Sequence, residues 1–414
     1  MSLLPRRTAV VVFLAFAFAY FFSALLRAIT ATLSPVLTQE FGLNARDLGL
    51  LAGGYFLGFS VTQLPMGTWL DHHGPKKVIL RLLSVAVLGC VAFAWATGFS
   101  GLLAARVLIG AGVSACLMAP LTGNRRWLDA STQLRANSWM LMTGSLGMVA
   151  STLPVQWLMP LVGWRPLFWV LAAMMALAMA LLAWQVPRWA SAPEINGAAH
   201  GAPVVAPGYA EVWRHPYFRR MTPIGFFSYG GLIALQTLWA GPWMIKVAGY
   251  SSAQAATGLF WINISMLCTF WTWGLVNPHL VRRGFTAARL IALGLPASFV
   301  LLTIIIIAGP RISTLATPLF ALYCMSCSFV SLAQPAVGMA FPQALAGRAL
   351  SAYNLVIFAG VFVVQWGIGL LIDGFRAAGV AEVLAYRLAM SALLVCCIAS
   401  YLYFLWAKPH NEGP

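Results

Sequence analysis

The sequence predicts an all-α membrane protein, with twelve transmembrane helices arranged in two pseudo-symmetric six-helix bundles. The first reason is composition, since 61% of the 414 residues are hydrophobic and only 8% are charged. Soluble domains carry about 25% charged residues, so most of this chain belongs in a lipid bilayer. The second reason is that the apolar runs fall into two groups of six, separated by one long polar stretch at 187–218.

Each apolar run is long enough to cross a bilayer, because a spanning helix needs about 20 apolar residues. The first run is too long for a signal peptide and lacks a small-residue cleavage pattern, so we expect it to be retained. The candidate spans are 8–35, 48–70, 76–98, 101–123, 134–160, 163–186, 219–248, 252–278, 286–309, 312–341, 346–372 and 381–407.

The net charge of +16 indicates membrane topology rather than a nucleic-acid partner. With the N-terminus in the cytoplasm and twelve alternating spans, seventeen of the 25 Lys and Arg residues fall on the inner side and six outside. The other two, Arg27 and Arg106, lie within spans. Basic residues concentrate in the cytoplasmic loops of membrane proteins. The distribution therefore predicts a multi-pass protein of the cell inner membrane with both termini in the cytoplasm.

We expect three parts, namely an N-terminal bundle at 1–186, a cytoplasmic linker at 187–218 and a C-terminal bundle at 219–414. The linker is rich in Pro, Gly and Ala, which suits a flexible connector. The two bundles resemble each other, since "QLRANSWML" (133–141) precedes the fifth span and "AGRALSAYN" (346–354) precedes the eleventh. Parallel six-helix repeats place a solute site between the halves, near the middle of the membrane.

The turn after the second span, "GTWLDHHGPKK" (67–77), resembles the signature loop of the major facilitator superfamily. The resemblance covers nearly the whole chain and implies a secondary transporter that works by alternating access. In the family, the loop aspartate holds the inner gate against the start of the eleventh helix, where the cation here is Arg348. Glycines permit a tight turn, and lysines anchor the inner face. The loop residues concerned are Gly67, Asp71, Gly74, Lys76 and Lys77.

Two further stretches bear on the resemblance. Arg106, followed by Gly110 and Gly112, is similar to the arginine motif of the family's fourth helix. The fifth span reads "TGSLGMVASTLP" and lacks the Gly-Pro pair of the family's antiporter signature. The missing pair counts against drug efflux, which stays open as an alternative.

The deep interior of the predicted spans contains arginine but no Asp, Glu or His. An ionisable residue inside a membrane marks a functional site by default. A guanidinium forms bidentate bonds to planar oxyanions, so Arg27 predicts an anionic cargo. Two other roles stay open for Arg27, a structural ion pair or carbonyl clamp, and a gating charge that Glu40 or Asp373 neutralises. For Arg106, substrate contact and helix packing are both open.

Polar and aromatic side chains complete the predicted substrate site. On the first span they recur at spacings of three and four residues, which places them on one helix face. On the seventh and eleventh spans, spacings of four and seven residues place further candidates together. The predicted substrate-binding residues are Arg27, Tyr20, Ser23, Thr30, Arg106, Tyr229, Gln236, Trp243, Asn354, Phe358 and Gln365.

We therefore expect a secondary active transporter for a small, carboxylate-like organic anion, with proton symport as one option. The alternatives are a drug or metabolite efflux antiporter and, in another class, a transporter-like membrane sensor. An enzyme is not expected, because the spans hold no metal triad, no nucleophile with a base and no paired carboxylates. No cofactor or metal is expected, and Cys324 and Cys327 are assigned to core packing. The expected partners are the anionic solute and the lipid bilayer, and the protein is expected to be a monomer.

Overall fold

The computed structural model describes residues 4–187 and 209–407. Within these ranges the chain is helical and contains no β-strand. Most of the predicted linker, 188–208, lies outside the described residues, so the boundaries between the three parts stay predictions. The helices, in chain order, are α1 (Arg6–Phe41), α2 (Ala45–Val61), α3 (Gln63–Trp95), α4 (Phe99–Val113), α5 (Ala115–Trp127), α6 (Ala130–Ala150), α7 (Leu153–Val162), α8 (Trp164–Gln185), α9 (Tyr209–Arg214), α10 (Pro216–Pro223), α11 (Gly230–Ala234), α12 (Ala240–Lys246), α13 (Ser252–Arg282), α14 (Ala287–Ala308), α15 (Ala316–Cys327), α16 (Ala333–Met339), α17 (Gln343–Ala377) and α18 (Glu382–Trp406).

The helices fit the membrane-spanning pattern that the sequence predicts. In the part of the chain that the structure describes, eight helices are long and apolar enough to cross a bilayer. A ninth span arises if α6 and α7, which are bent by 43°, are counted together. Other predicted spans consist of shorter pieces, since α3 follows α2 directly after Thr62 and α10 to α12 are joined end to end. The protein is thus a multi-pass helical membrane protein, and its helices are consistent with twelve spans.

The signature loop forms a sharp turn inside α3. Gly74 has φ 75° and ψ 162°, a conformation that suits glycine because glycine has no Cβ. Beyond the turn, the Nζ of Lys76 donates a 2.7 Å hydrogen bond to the carbonyl of Val186 at the end of α8. A cation is favourable at a helix C-terminus, so Lys76 ties the third predicted span to the sixth. Lys77 is exposed.

The inner-gate pair that the resemblance implies is described only in part, because the side chain of Asp71 lies outside the described residues. Arg348 interacts electrostatically with Tyr209 of α9. The Cβ position of Gly67 lies 3.6 Å from the hydroxyl of Ser351. The inner end of the second span therefore meets the start of α17, and the contact between Asp71 and Arg348 stays a prediction.

The seventh predicted span contains two π-helical stretches, Ile224–Tyr229 and Leu235–Trp239. A π-turn holds one residue more than an α-turn and is frequent at functional sites. The thiol of Cys327 supports the first stretch, because its Sγ lies 3.4 Å from the carbonyl oxygen of Ser228. The wide turns change the rotation between successive side chains along this span.

The two halves of the molecule meet along α2 and α17. A Cβ added at Gly49 would overlap the backbone oxygen of Gln365, and one added at Gly369 would overlap the backbone oxygen of Ala45. Small residues let transmembrane helices approach this closely. These contacts lie toward the end of the bundle that is predicted to face outside, which we call the outer end.

Replacing Gly49 by alanine should destabilise this closed arrangement, because the new methyl group overlaps the Gln365 carbonyl. Overpacking costs about 1–3 kcal/mol, so the purified Gly49→Ala variant should melt a few degrees below the wild type. Gly367→Ala on α17 is the control, since nothing lies within 4 Å of its Cβ position. Equal melting temperatures for the two variants would show that the halves do not meet in this way.

Candidate functional site

Arg27 lies within α1 among aromatic side chains from both halves. Its guanidinium interacts electrostatically with three tyrosine hydroxyls and lies 5.8 Å from the centre of the Phe59 ring. Phe358 of α17 packs on Phe59, with ring centres 4.4 Å apart. We define the Arg27 cluster as Arg27 together with Tyr20, Tyr55, Phe59, Tyr229 and Phe358.

Arg27 has no carboxylate partner among the residues that the structure describes. Its side chain is partly exposed, and its Nε is buried without a hydrogen-bond partner in the same part of the chain. A buried donor without a partner costs about 1–3 kcal/mol, and buried charges are usually paired. One donor of the guanidinium, Nε, therefore lacks a partner within the described part of the chain.

A second arginine, Arg106 of α4, holds the backbone next to Arg27. It is 1% exposed, and its Nη1 donates a 2.9 Å hydrogen bond to the carbonyl of Leu26. Its guanidinium also lies 5.3 Å from the centre of the Tyr55 ring. The Tyr55 hydroxyl donates a 3.2 Å hydrogen bond to the carbonyl of Ser23. Arg106 thus packs helices together by binding a backbone carbonyl, and a direct contact with substrate stays a prediction.

The polar stripe on α1 faces neighbouring helices rather than lipid, as the sequence predicts. Tyr20, Ser23 and Thr30 are only 5%, 0% and 3% exposed. A Cβ at Gly144 of α6 would overlap the Tyr20 ring, so α6 passes close to α1 at this point. Of these three stripe residues, Tyr20 is the one that interacts with Arg27.

On the seventh span, Tyr229 reaches the Arg27 cluster, and the other two predicted residues have different partners. Gln236 donates a 3.0 Å hydrogen bond from Nε2 to Oδ1 of Asn263. Trp243 is fully buried beside Phe320, with ring centres 6.3 Å apart. The π-helical stretches explain this outcome, because they interrupt the seven-residue alignment on which the prediction depends.

On α17, Asn354 and Gln365 lie in separate hydrogen-bond networks. Asn354 Oδ1 accepts a 2.5 Å bond from Gln334, and Asn354 Nδ2 donates a 3.3 Å bond to Gln63. Gln365 donates a 2.8 Å bond to Thr237. Asn354 and Gln365 are about 16 Å apart along the helix, at 1.5 Å per residue. They therefore lie at different depths along α17, and a contact of either residue with substrate stays a prediction.

Three residues of this region carry little signal in the sequence. Tyr55 and Phe59 lie four positions apart on the second span and therefore share a helix face, but the chain has many aromatic residues at similar spacings. Gln63 is the one amide within the second candidate span, 48–70. An amide at membrane depth needs a hydrogen-bond partner, and this rule could have identified Gln63.

The acid nearest to the outer end of α1 is engaged away from Arg27. Glu40 accepts 2.6 Å hydrogen bonds from Nε1 of Trp164 and from Nη1 of Arg165. Partial burial raises the pKa of Glu40, but the two hydrogen bonds and the nearby guanidinium of Arg165 outweigh it, and the pKa lies below its ordinary value. Glu40 therefore does not neutralise Arg27 in this state.

Asp373 joins the two halves at the outer end. Its carboxylate on α17 accepts hydrogen bonds from the backbone N–H groups of Ala45, at 3.3 Å, and of Arg46, at 2.7 Å. These groups form the start of α2, where a negative charge is favourable. A cavity of about 410 Å³ beside this contact is lined by both halves, including Ser34 and Arg376. Asp373 thus closes the outer end rather than neutralising Arg27.

The Arg27 cluster offers hydrogen-bond donors, a positive charge and aromatic faces. Within 4–187 and 209–407, no group of three or more His, Cys, Asp or Glu side chains could hold a metal ion. The groups of the cluster suit non-covalent contacts with a solute.

Residues 16–365 match the family model of the Major Facilitator Superfamily. The chain therefore belongs to this superfamily, whose members are transporters rather than enzymes. It is 26% identical over 251 residues to a protein described as a probable sulfoacetate transporter from Cupriavidus necator, and the match covers 57% of each chain. It is 27% identical over 150 residues to the 4-hydroxybenzoate transporter of Pseudomonas aeruginosa, covering 36% of this chain and 33% of that protein. The matches span between a third and just over half of these relatives.

The fold also has close solved counterparts. A D-xylose-proton symporter superposes with a TM-score of 0.76 at 14% sequence identity, covering 98% of this chain and 99% of that one. At this identity the likeness concerns the fold alone. It confirms the predicted all-helical membrane fold, with which the predicted two bundles of six helices are consistent.

Replacing Asp373 by alanine should loosen the outer closure, because the start of α2 loses its acceptor from the other half. A charge at a helix terminus is worth about 0.3–1 kcal/mol, which corresponds to a roughly two- to fivefold change in the open population. A membrane-impermeant maleimide should therefore label Ser34→Cys, in a cysteine-free background, about two- to fivefold faster. Asp47→Ala is the control, since Asp47 lies on α2 itself and pairs with its neighbour Arg46. Equal labelling of both variants would exclude Asp373 as a closing contact.

Proposed function

We propose that the protein is a secondary transporter that moves a small organic anion across the cell inner membrane by alternating access, with both termini in the cytoplasm. The observation that supports this most directly is Arg27, a guanidinium at membrane depth with no acid partner among the described residues. Guanidinium forms bidentate hydrogen bonds to carboxylates and related oxyanions. Relatives described as transporters of sulfoacetate and of 4-hydroxybenzoate support the same class of cargo.

In this proposal, Arg27 is the counter-charge of the substrate, and the Tyr20 and Tyr229 hydroxyls supply further hydrogen bonds. Arg106 positions Arg27 by holding the adjacent Leu26 carbonyl. Arg27 belongs to the first half and Tyr229 to the second. An anion bound between them therefore contacts both halves and favours the state in which they are close together.

The two ends of the bundle supply contacts that can open in turn. At the outer end, Asp373 binds the first turn of α2. Further in along α17, the hydrogen bond from Asn354 to Gln63, the first residue of α3, connects the halves. We propose that Asp71 and Arg348 add a second contact at the inner end. Alternating access then requires each set of contacts to break while the other is formed.

The described spans contain no buried Asp, Glu or His side chain that could carry a coupled proton. Proton relays in transporters are usually built from Asp, Glu and His, and these residue types lie in loops or at span ends in this chain. We propose that a coupled proton travels on the acid group of the substrate itself. Exchange of one anion for another is the alternative that the same site allows.

Arg27→Ala should abolish saturable anion uptake into proteoliposomes, because the anion loses its counter-charge. Hydrogen bonds to charged groups are worth about 1.5–3 kcal/mol, which is roughly a ten- to 150-fold loss of apparent affinity. The probes are labelled sulfoacetate, benzoate and glucuronate, with tetraphenylphosphonium as a cation for comparison. Arg311→Ala removes an exposed arginine and is the matched control.

Both variants should retain the wild-type elution profile and melting transition, so that a loss of uptake reports on the site. Wild-type kinetics in Arg27→Ala would remove Arg27 as the counter-charge. Saturable uptake of the cation alone by the wild type would overturn the proposed substrate class.

A further inference from the structure

Most amide side chains at membrane depth are already bound to one another. Gln334 donates to Asn354 at 2.5 Å, Asn354 donates to Gln63 at 3.3 Å, and Gln63 donates to the backbone oxygen of Phe59 at 3.1 Å. This chain of hydrogen bonds runs in one direction and uses the facing donors and acceptors of three side chains. Little capacity remains there for the hydroxyl groups of a bound solute.

The amide side chains of the seventh and eighth spans are also hydrogen-bonded to other protein groups. Gln236 donates to Asn263 at 3.0 Å, and Asn263 donates to the Leu259 carbonyl at 2.9 Å. On the eleventh span, Gln365 donates a 2.8 Å hydrogen bond to Thr237 and is 0% exposed, while its Oε1 is buried without a hydrogen-bond partner among the described residues. Amides are the side chains that most readily match the donor and acceptor pattern of sugar hydroxyls. Few of these amide groups therefore remain to replace the hydration of a polyhydroxylated cargo.

The surroundings of Arg27 are aromatic instead. The Tyr55 and Phe59 rings are stacked at 6.2 Å with an interplanar angle of 23°, and Phe358 lies 4.4 Å from Phe59. The guanidinium carbon of Arg27 lies 5.8 Å from the centre of the Phe59 ring, within the range of a cation–π contact. The Nε of Arg27 has no hydrogen-bond partner among the described residues, and the edge of a guanidinium can bind a planar oxyanion.

We propose that the transported anion is a monocyclic aromatic carboxylate, with its carboxylate on Arg27 and its ring against Phe59 and Phe358. This inference depends on the proposed function and narrows its substrate class. Aromatic rings attract one another in stacked and edge-on arrangements beyond what burial of their area provides. A saturated ring of the same size has the same charge and similar bulk but lacks this attraction.

The experiment compares benzoate, cyclohexanecarboxylate and glucuronate as substrates of the wild-type protein in proteoliposomes. Benzoate should show an apparent KM about tenfold lower than cyclohexanecarboxylate, the factor expected from one or two aromatic contacts, and glucuronate should be transported least well. The three acids should raise the melting temperature of the purified protein in the same order. Because this comparison uses only the wild-type protein, its result does not depend on whether a variant folds.

Phe59→Leu should reduce the preference for benzoate over cyclohexanecarboxylate to about twofold, because leucine is apolar but has no ring. Phe358→Leu should act in the same direction and replaces Phe59→Leu if that variant does not fold. Phe299→Leu is the matched control, since Phe299 contacts Tyr401 away from the Arg27 cluster, with ring centres 5.4 Å apart. It should leave the preference unchanged.

Equal KM values for benzoate and cyclohexanecarboxylate, or better transport of glucuronate, would overturn this inference and leave Arg27-dependent anion transport in place. No Arg27-dependent uptake of these three acids or of sulfoacetate would overturn the proposed function, and the narrower substrate class with it.

Discussion

The arrangement of the helices around α1 depends on one constraint, which is that the guanidinium of Arg27 lies at membrane depth without an acid beside it. A charged side chain there costs at least about 2.5–3.5 kcal/mol, and aromatic faces return only about 0.5–2 kcal/mol. The protein therefore fixes the backbone that carries Arg27. Arg106 and Tyr55 bind the carbonyls of Leu26 and Ser23 on α1, so the charge is held in one place rather than free to reach the membrane surface.

Close helix packing makes this arrangement possible. A Cβ at Gly58 of α2 would overlap the backbone oxygen of Val107, and a Cβ at Gly110 of α4 would overlap that of Tyr55. The two helices touch at these glycines and present Tyr55 and Arg106 together to α1. Gly110, which follows Arg106 in the family-like motif, thus has a physical role in positioning it.

The acids at the outer end affect the charge of the core, because their own partners keep them away from Arg27. Glu40 is held by Arg165 and Trp164, and Asp373 is held by the first turn of α2. Because each acid has partners of its own, the positive charge of Arg27 is left uncompensated inside the bundle. The electrostatics of the core are thus set as much by the placement of acids at the edge as by the arginine itself.

The membrane made a large part of this structure predictable from the sequence. Apolar run lengths and the distribution of basic residues led to the helical architecture, because a bilayer restricts both strongly. The same restriction made Arg27 conspicuous, and the spacing on α1 correctly indicated a face turned toward other helices.

Partners across helices could not be predicted in the same way. Asn354 meets Gln63 and Gln236 meets Asn263 through packing between separate spans, and one sequence contains no record of which spans touch. The spacing on the seventh span was misleading, because it assumed regular α-helical winding where the chain forms π-turns. Tyr55 could not be distinguished from the many aromatic residues that lie at the membrane boundary.

The π-helical stretch Ile224–Tyr229 gives the seventh span a means of adjusting the surroundings of Arg27. A π-turn contains one residue more than an α-turn. If the wide turn shifts along the helix past a residue, the side chain of that residue rotates by about 100° and moves by about 1.5 Å along the axis. Tyr229 lies at the boundary of the stretch. A local change of winding therefore suffices to turn its hydroxyl away from Arg27 while both ends of the span stay where they are anchored.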